Sequence, residues 1–284
     1  MPLRGPPELV VPDRLLSLAA GTVLDLQPPE AVGVAADAGF GAVGVWYDPD
    51  SWSAARAREV SRRLDATGLV ALDIEPVILG RAVDPGEAVI DAAAEIGARH
   101  VLVAGGPAEA AAVAERFGAL CDRALDAGTI VVLEFLPIFP VGTLAVAARI
   151  VEQADRPNGA VLVDTLHLAR SGGRPSDLRQ VPGRLLPYLQ VADAPQESPA
   201  SIEALRDEAL YGRLLPGDGA LPLAETLEEV PGVPLSFELR SKFLMTTQPN
   251  PLDRARTVLA AGRELLRKSE GGRAPGGFPG TEDT

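Results

Sequence analysis

The sequence predicts an α/β protein folded as a single (β/α)8 TIM barrel, and three observations predict it. Eight short runs are rich in Val, Ile and Leu, Ala-rich helical stretches separate them, and acidic or amide side chains sit near the ends of four consecutive runs. A chain of 284 residues suits one such barrel, which needs roughly 250 residues. With 46% apolar and 23% charged residues it can also bury a large core. A doubly wound open sheet has the same rhythm, but the Gly-rich phosphate turn after its first strand is missing here.

The strands are expected at residues 15–23, 42–47, 70–79, 100–104, 130–136, 160–166, 186–192 and 235–239. Helices follow from the 3.6-residue apolar period at 29–38, 53–66, 85–96, 108–127, 143–154 and 252–268, with Gly39, Gly68, Gly97 and Gly128 marking helix ends. After the sixth strand only a short helix is expected, around 175–178, and residues 195–219 read as a long insertion over a barrel mouth. The barrel is assigned to residues 1–268 and a disordered, Gly- and Pro-rich tail to 269–284.

The net charge of −13 and the lack of any Lys/Arg-rich run argue against nucleic acid or an anionic membrane surface as partner. A small-molecule substrate is expected instead, with homo-oligomerisation left open. The single cysteine, Cys121, excludes an intrachain disulfide framework, and its long apolar helix makes it a buried, inert thiol. No signal peptide is read in the first residues, and no run approaches 18 unbroken apolar residues, so a soluble, cytoplasmic protein is expected.

The chemistry is read from polar residues inside apolar strands. Glu134 in VVLEF, Asp164 in VLVDTLH, Gln190 in PYLQVADA and Glu238 in LSFELRS all lie near strand C-termini, where barrel enzymes place their active sites. Strand alternation puts Glu134 on one face with Val132 and Ile130, and Asp164 with Leu162 and Ala160, so these groups should point into the barrel. Three buried carboxylates demand compensating positive charge. One divalent metal on Glu134, Asp164, Gln190 and Glu238 supplies it, and this oxygen-rich set favours Mn²⁺ or Mg²⁺, with Co²⁺ also accommodated. An ion-pair network with Arg213 and Arg240 is the alternative source.

The chain resembles the xylose isomerase-like barrels, the sugar phosphate isomerases and epimerases, over roughly residues 15–268. That resemblance implies a Glu on strand five, an Asp-x-x-His on strand six, usually a His on strand seven, and a Glu on strand eight. Glu134, Asp164 with His167, and Glu238 match, whereas Gln190 stands where the usual His would be. The stretch VDTLHLARSGGRPSDLRQVPGRLLPYLQVADAP followed by RLLPGDG is similar to bacterial 3-dehydroshikimate dehydratases, which also use Gln as a ligand. Those enzymes carry Trp-Gly-x-His after the strand-five Glu, and this chain reads EFLPIFPVGT instead.

Glu134, His167 and Glu238 are the expected catalytic residues, with His167 as general acid/base three residues beyond Asp164. Substrate contacts are expected from Glu75 in strand three, Trp46 at the end of strand two, Asp193 after strand seven, Arg213 at the start of RLLPGDG, and Arg240 two positions past Glu238. His100 opens strand four at the opposite end and is read as structural. A metal chelated by a carbonyl and its neighbouring hydroxyl would acidify the adjacent C–H and stabilise the resulting enolate. The first functional reading is therefore a metal-dependent isomerase or epimerase of a small hydroxy-carbonyl compound. A dehydratase comes second and a non-catalytic ligand-binding barrel third.

Overall fold

Eight parallel strands close on themselves in sequence order in the computed structural model, which describes residues 14–271. They are β1 (Leu16–Leu18), β2 (Ala42–Trp46), β3 (Val70–Leu79), β4 (His100–Gly105), β5 (Ile130–Glu134), β6 (Gly159–Asp164), β7 (Leu189–Val191) and β8 (Leu235–Phe237). Closure is made by β1, which pairs with β2 on one side and β8 on the other. The helices are α1 (Pro28–Ala38), α2 (Ala54–Thr67), α3 (Gly86–Ile96), α4 (Ala110–Ala124), α5 (Leu144–Ala154), α6 (Thr165–Arg170), α7 (Ile202–Tyr211), α8 (Leu223–Glu229), α9 (Lys242–Thr247) and α10 (Pro251–Gly271).

Local chemistry explains many of these boundaries. Ser53 and Thr143 cap α2 and α5 by accepting from the amides of Arg56 and Val146, and Gln27 with Glu30 forms a capping box on α1. Strand alternation then sorts the core into two. Val131, Leu133, Val161, Val163, Leu189 and Phe237 face outward into the layer shared with the helices. Ala42, Leu72, Leu102, Val132, Leu162 and Tyr188 face the barrel axis. Ile130 and Ala160 belong to that inner set, so Glu134 and Asp164 continue the inward faces of β5 and β6, as strand alternation predicts.

Several strands are shorter than expected. The run at 15–23 stays extended only to Leu18 and then turns through a 3₁₀ segment, Ala20–Thr22. The run at 160–166 stops at Asp164, whose side chain caps the helix that begins at the next residue. At 186–192 only three residues form strand, after a 3₁₀ turn at Gly183–Leu185. The insertion at 195–219 is not all loop: it contains α7, capped by Ser201. At the C-terminus α10 continues to Gly271, past the expected boundary at Lys268, and the rest of the expected tail lies outside the described residues. Among the described residues no helix is long and apolar enough to cross a membrane.

Candidate active site

The four predicted strand-end residues gather at one end of the barrel. Registers pair Asp164 with Gln190 and Gln190 with Ser236, which brings β6, β7 and β8 into one continuous wall. Asp164 does three jobs there. Its Oδ1 accepts from the amides of Leu166 (2.7 Å) and His167 (3.1 Å), and its Oδ2 accepts from Arg213 Nη1 at 2.5 Å. As the cap of α6 it also fixes His167 three residues on, which places the imidazole over the same mouth.

One ligand atom from each of Glu134, Asp164 and His167 lies within 4.8 Å of the others, and all three residues are buried. His167 Nε2 stands 3.8 Å from Glu134 Oε1 and 3.5 Å from Arg213 Nη2. A guanidinium only donates, so Nε2 presents its lone pair to the mouth. Burial, reinforced by the Arg213 charge and only partly opposed by Asp164, lowers His167 to about 4, and the ring is neutral at pH 7. His167, expected only as an acid/base, thus stands among the metal-ligand candidates as well.

Glu238 joins the group through Arg213, whose Nη2 lies 3.0 Å from Glu238 Oε2. The Arg213 guanidinium is almost fully buried, and its Nε donates to the Ala209 carbonyl at 3.0 Å. Two antiparallel bridges, Asp193 with Leu214 and Gly212 with Ser241, hold its backbone on both sides. Burial pushes the Glu134 carboxyl well above its ordinary range, and the charges of Asp164 and Glu238 push it further. Burial also raises Glu238, against the pull of Arg213. Asp164 goes the other way, because Arg213 and its hydrogen bonds override the effect of burial.

A divalent ion fits these residues on grounds internal to the structure. Gln190 is buried, yet neither its Oε1 nor its Nε2 has a hydrogen-bond partner, a costly state for an amide without a ligand. Gly21 faces the same space, and a Cβ there would come within 2.4 Å of Glu238 Oε1, so only glycine leaves that carboxylate room.

Residues 32–267 match the family described as xylose isomerase-like TIM barrel. The chain belongs to that family. Among relatives of this xylose isomerase-like barrel, a 3-dehydroshikimate dehydratase of Pseudomonas aeruginosa is 28% identical over 252 residues, covering 81% of this chain and 39% of the relative. The chain thus spans about two-fifths of that protein. A solved structure of the IOLI protein with a bound zinc atom superposes with a TM-score of 0.76 at 17% identity, covering 89% of this chain and 98% of the other. A D-psicose 3-epimerase structure does so with a TM-score of 0.66 at 17% identity, covering 88% and 99%.

The remaining expected contacts fall in different places. Trp46 and Arg240 meet at the mouth, with the guanidinium carbon 5.9 Å from the ring centroid. Glu75 is buried with Oε1 unpartnered, and burial and the charges of Glu238, Asp73 and Glu134 hold its carboxyl well above the usual range. Asp193, expected to bind substrate or orient a ligand, spends both oxygens on the loop that follows it. Oδ1 accepts from Ala194 and Leu221, and Oδ2 from Gly217 and Gly219, at 2.8–3.1 Å. His100 is buried and bound through Nδ1 to the Leu72 carbonyl at 2.7 Å, in keeping with a structural role.

Sequence reasoning missed an inward polar layer under the site. Asp73, Tyr188, Ser17 and Ser236 are all fully buried with side-chain oxygens that lack partners. Asp73 was hidden by a register shift between Val43 and Gly44, which turns it to the axis beside Leu72 rather than on the opposite face. The available signal was its position two residues before Glu75 within an apolar strand.

Proposed function

We propose that this barrel is a divalent-metal-dependent enzyme that enolises a small hydroxy-carbonyl compound, with loss of a β-hydroxyl as the outcome. The observation that carries the reading is the convergence of Glu134, Asp164 and His167 within 4.8 Å beside the orphaned Gln190 amide. Glu134, Asp164, Gln190 and Glu238 would hold the ion, and Mn²⁺ or Mg²⁺ suits their oxygen donors. When bound, the ion supplies Lewis-acid polarisation of the substrate carbonyl.

The chain's own residues do the rest. A carboxylate oxygen of Glu134 or Glu238 not engaged as ligand takes the proton from the carbon next to the carbonyl. The C–H electron pair becomes the enolate, and when it collapses the β-carbon–oxygen bond breaks. The leaving oxygen is protonated as it departs. His167, neutral at pH 7, passes that proton when it has first accepted one from Glu134, 3.8 Å away. Trp46 and Arg240 form the part of the mouth that grips the remainder of the substrate. Elimination is preferred because the dehydratase relative shares sequence across most of this chain. A second reading, epimerisation or isomerisation, is favoured by the placement of Glu134 on β5 and Glu238 at the end of β8, on different sides of the mouth, where each could serve one face of an enolate.

Incubation with Mn²⁺, deuterated water and a panel of hydroxy-ketones and hydroxy-enones tests both readings. Deuterium uptake with release of water and a new conjugated chromophore supports elimination, and uptake with an isomeric product supports the second reading. No uptake into any compound would remove the enolisation proposal.

A further inference from the structure

Beneath the mouth, the wall formed by β8, β1 and β2 carries only small inward residues. Ser236 pairs with Ser17, Ser17 pairs with Ala42, and Gly44 follows one step up. The space left by these residues is taken from the far side by Asp73 and Tyr188. Asp73 leans over Gly44 so closely that a Cβ there would lie 2.5 Å from Oδ1. Both Asp73 oxygens, the Tyr188 hydroxyl and the two serine hydroxyls are buried; Asp73 and Tyr188 face each other, without a hydrogen bond of good geometry, and the serine hydroxyls have no partner among the described residues. Buried polar atoms left without good partners are normally satisfied by ordered water, which needs two to four such groups.

The charges around this pocket are unbalanced. Asp73 and Glu75 on β3, Glu134 on β5, Asp164 on β6 and Glu238 after β8 are buried carboxyls, and they face two guanidiniums, Arg213 and the partly exposed Arg240. If all five ionised, three negative charges would stand uncompensated; a divalent ion would leave one. His100 on β4, packed 4.7 Å from the Tyr188 ring, adds no charge, since burial lowers it to about 4. Protons must therefore be held on some of these carboxyls while the metal is away.

We propose that Asp73, Tyr188, Ser17 and Ser236 form a buried, water-holding proton site beneath the metal centre, and that divalent binding above it drives the proton off Asp73. The step breaks the Asp73 O–H bond and passes the proton through the pocket water to solvent as the carboxylate forms. Several features make Asp73 the group that responds. It leans over Gly44, no cation among the described residues binds it and Tyr188 is its one side-chain hydrogen-bonding neighbour there, and Glu238 and Glu134 sense its charge. Burial, with Glu238 adding and Tyr188 opposing, puts it at about 7, whereas Glu75 lies well above its ordinary range. A dication at Glu134 and Glu238 acts with the opposite sign to their own charges.

The metal half of this inference rests on the metal site proposed above, and the test separates the two. Titration of chelator-treated protein with Mn²⁺ at pH 6.5, by calorimetry in buffers of different ionisation heat, counts protons released per ion. Wild type is expected to release about one more than Asp73→Asn, and equal counts overturn the proposal. In metal-free protein at pH 6, the infrared carbonyl band of neutral buried carboxyls should be weaker in Asp73→Asn than in wild type by one carboxyl's share. Identical spectra overturn the proposal without any metal. Should Asp73→Asn fail to fold, Ser236→Ala replaces it: removing a water anchor should shift the wild-type band, and an unmoved band overturns the water-holding site. If Mn²⁺ binds neither protein, the metal site falls while the infrared result still decides whether Asp73 holds a proton.

Discussion

Replacing Arg213 by Met removes the cation at the centre of the mouth and keeps most of the side-chain volume. Its guanidinium is almost fully buried, 2.5 Å from Asp164 Oδ2 and 3.0 Å from Glu238 Oε2, and donates to the Ala209 carbonyl at 3.0 Å. Removing one partner of such a buried network leaves unpaired charge and costs about 3–5 kcal/mol. Urea unfolding of metal-free protein at pH 7.5 should show a loss of that size. The sign with pH follows from Asp164, which Arg213 holds below its ordinary range. A depressed carboxyl contributes stability above its unfolded pKa and loses it as pH falls through the folded pKa, so the gap between wild type and variant should narrow as pH falls below about 4. Mn²⁺ should narrow it as well, since a dication replaces the missing charge and no longer competes with the guanidinium for Asp164 and Glu238. A loss below about 1 kcal/mol, or a gap that ignores both pH and Mn²⁺, would show that Arg213 does not neutralise these carboxylates.

Gln190→His should retain a metal site but shift its ranking from Mn²⁺ or Mg²⁺ toward Co²⁺ or Zn²⁺, and Gln190→Leu should weaken every divalent ion; competition with a coloured chelator measures both, and identical rankings in all three proteins would remove Gln190 from the ligand set. His167→Ala should keep its fold by circular dichroism while losing about 10²–10⁴-fold in turnover, and full activity would exclude an acid/base role. Gly21→Ala forces a methyl to within 2.4 Å of Glu238 Oε1, so Mn²⁺ affinity should fall at least tenfold with little change in unfolding midpoint; wild-type affinity would show that Glu238 need not occupy its observed position. The metal-free protein should be more stable at pH 5 than at pH 8, because burial-raised carboxyls such as Asp73 lose their contribution as pH rises through the folded pKa. Asp73, raised from 3.8 to about 7, loses about 2.7 kcal/mol between pH 5 and its folded pKa, and a flat urea profile would contradict it.

The barrel was legible because its strands lie in short apolar runs that alternate with capped, glycine-ended helices, and the inward direction of Glu134 and Asp164 followed from strand periodicity alone. Contacts that depend on loop geometry were not legible. Asp193 reads like any strand-end carboxylate until the chain at Gly217, Gly219 and Leu221 folds back onto it. The helix Ile202–Tyr211 buries only Ala209, with Ile202 and Tyr211 exposed, so it lacks the apolar stripe that reveals a helix. Asp73 escaped because the irregularity in the strand pairing gives it the opposite face from the one alternation counted from Val70 and Leu72 would assign.

The bridges that fix Arg213 divide the connection between β7 and β8 into two parts with different freedom. Asp193 ties down 217–221, and Gly212 is tied to Ser241, so the guanidinium is placed by its immediate neighbours rather than by the length of chain before it. From 196 to 207 the connection meets the barrel chiefly at its far end, where Glu208 pairs with Arg170. Most of that segment is exposed, so changes of its length between 196 and 201 leave in place the bridges and the Ala209 carbonyl that hold the charge at the centre of the mouth.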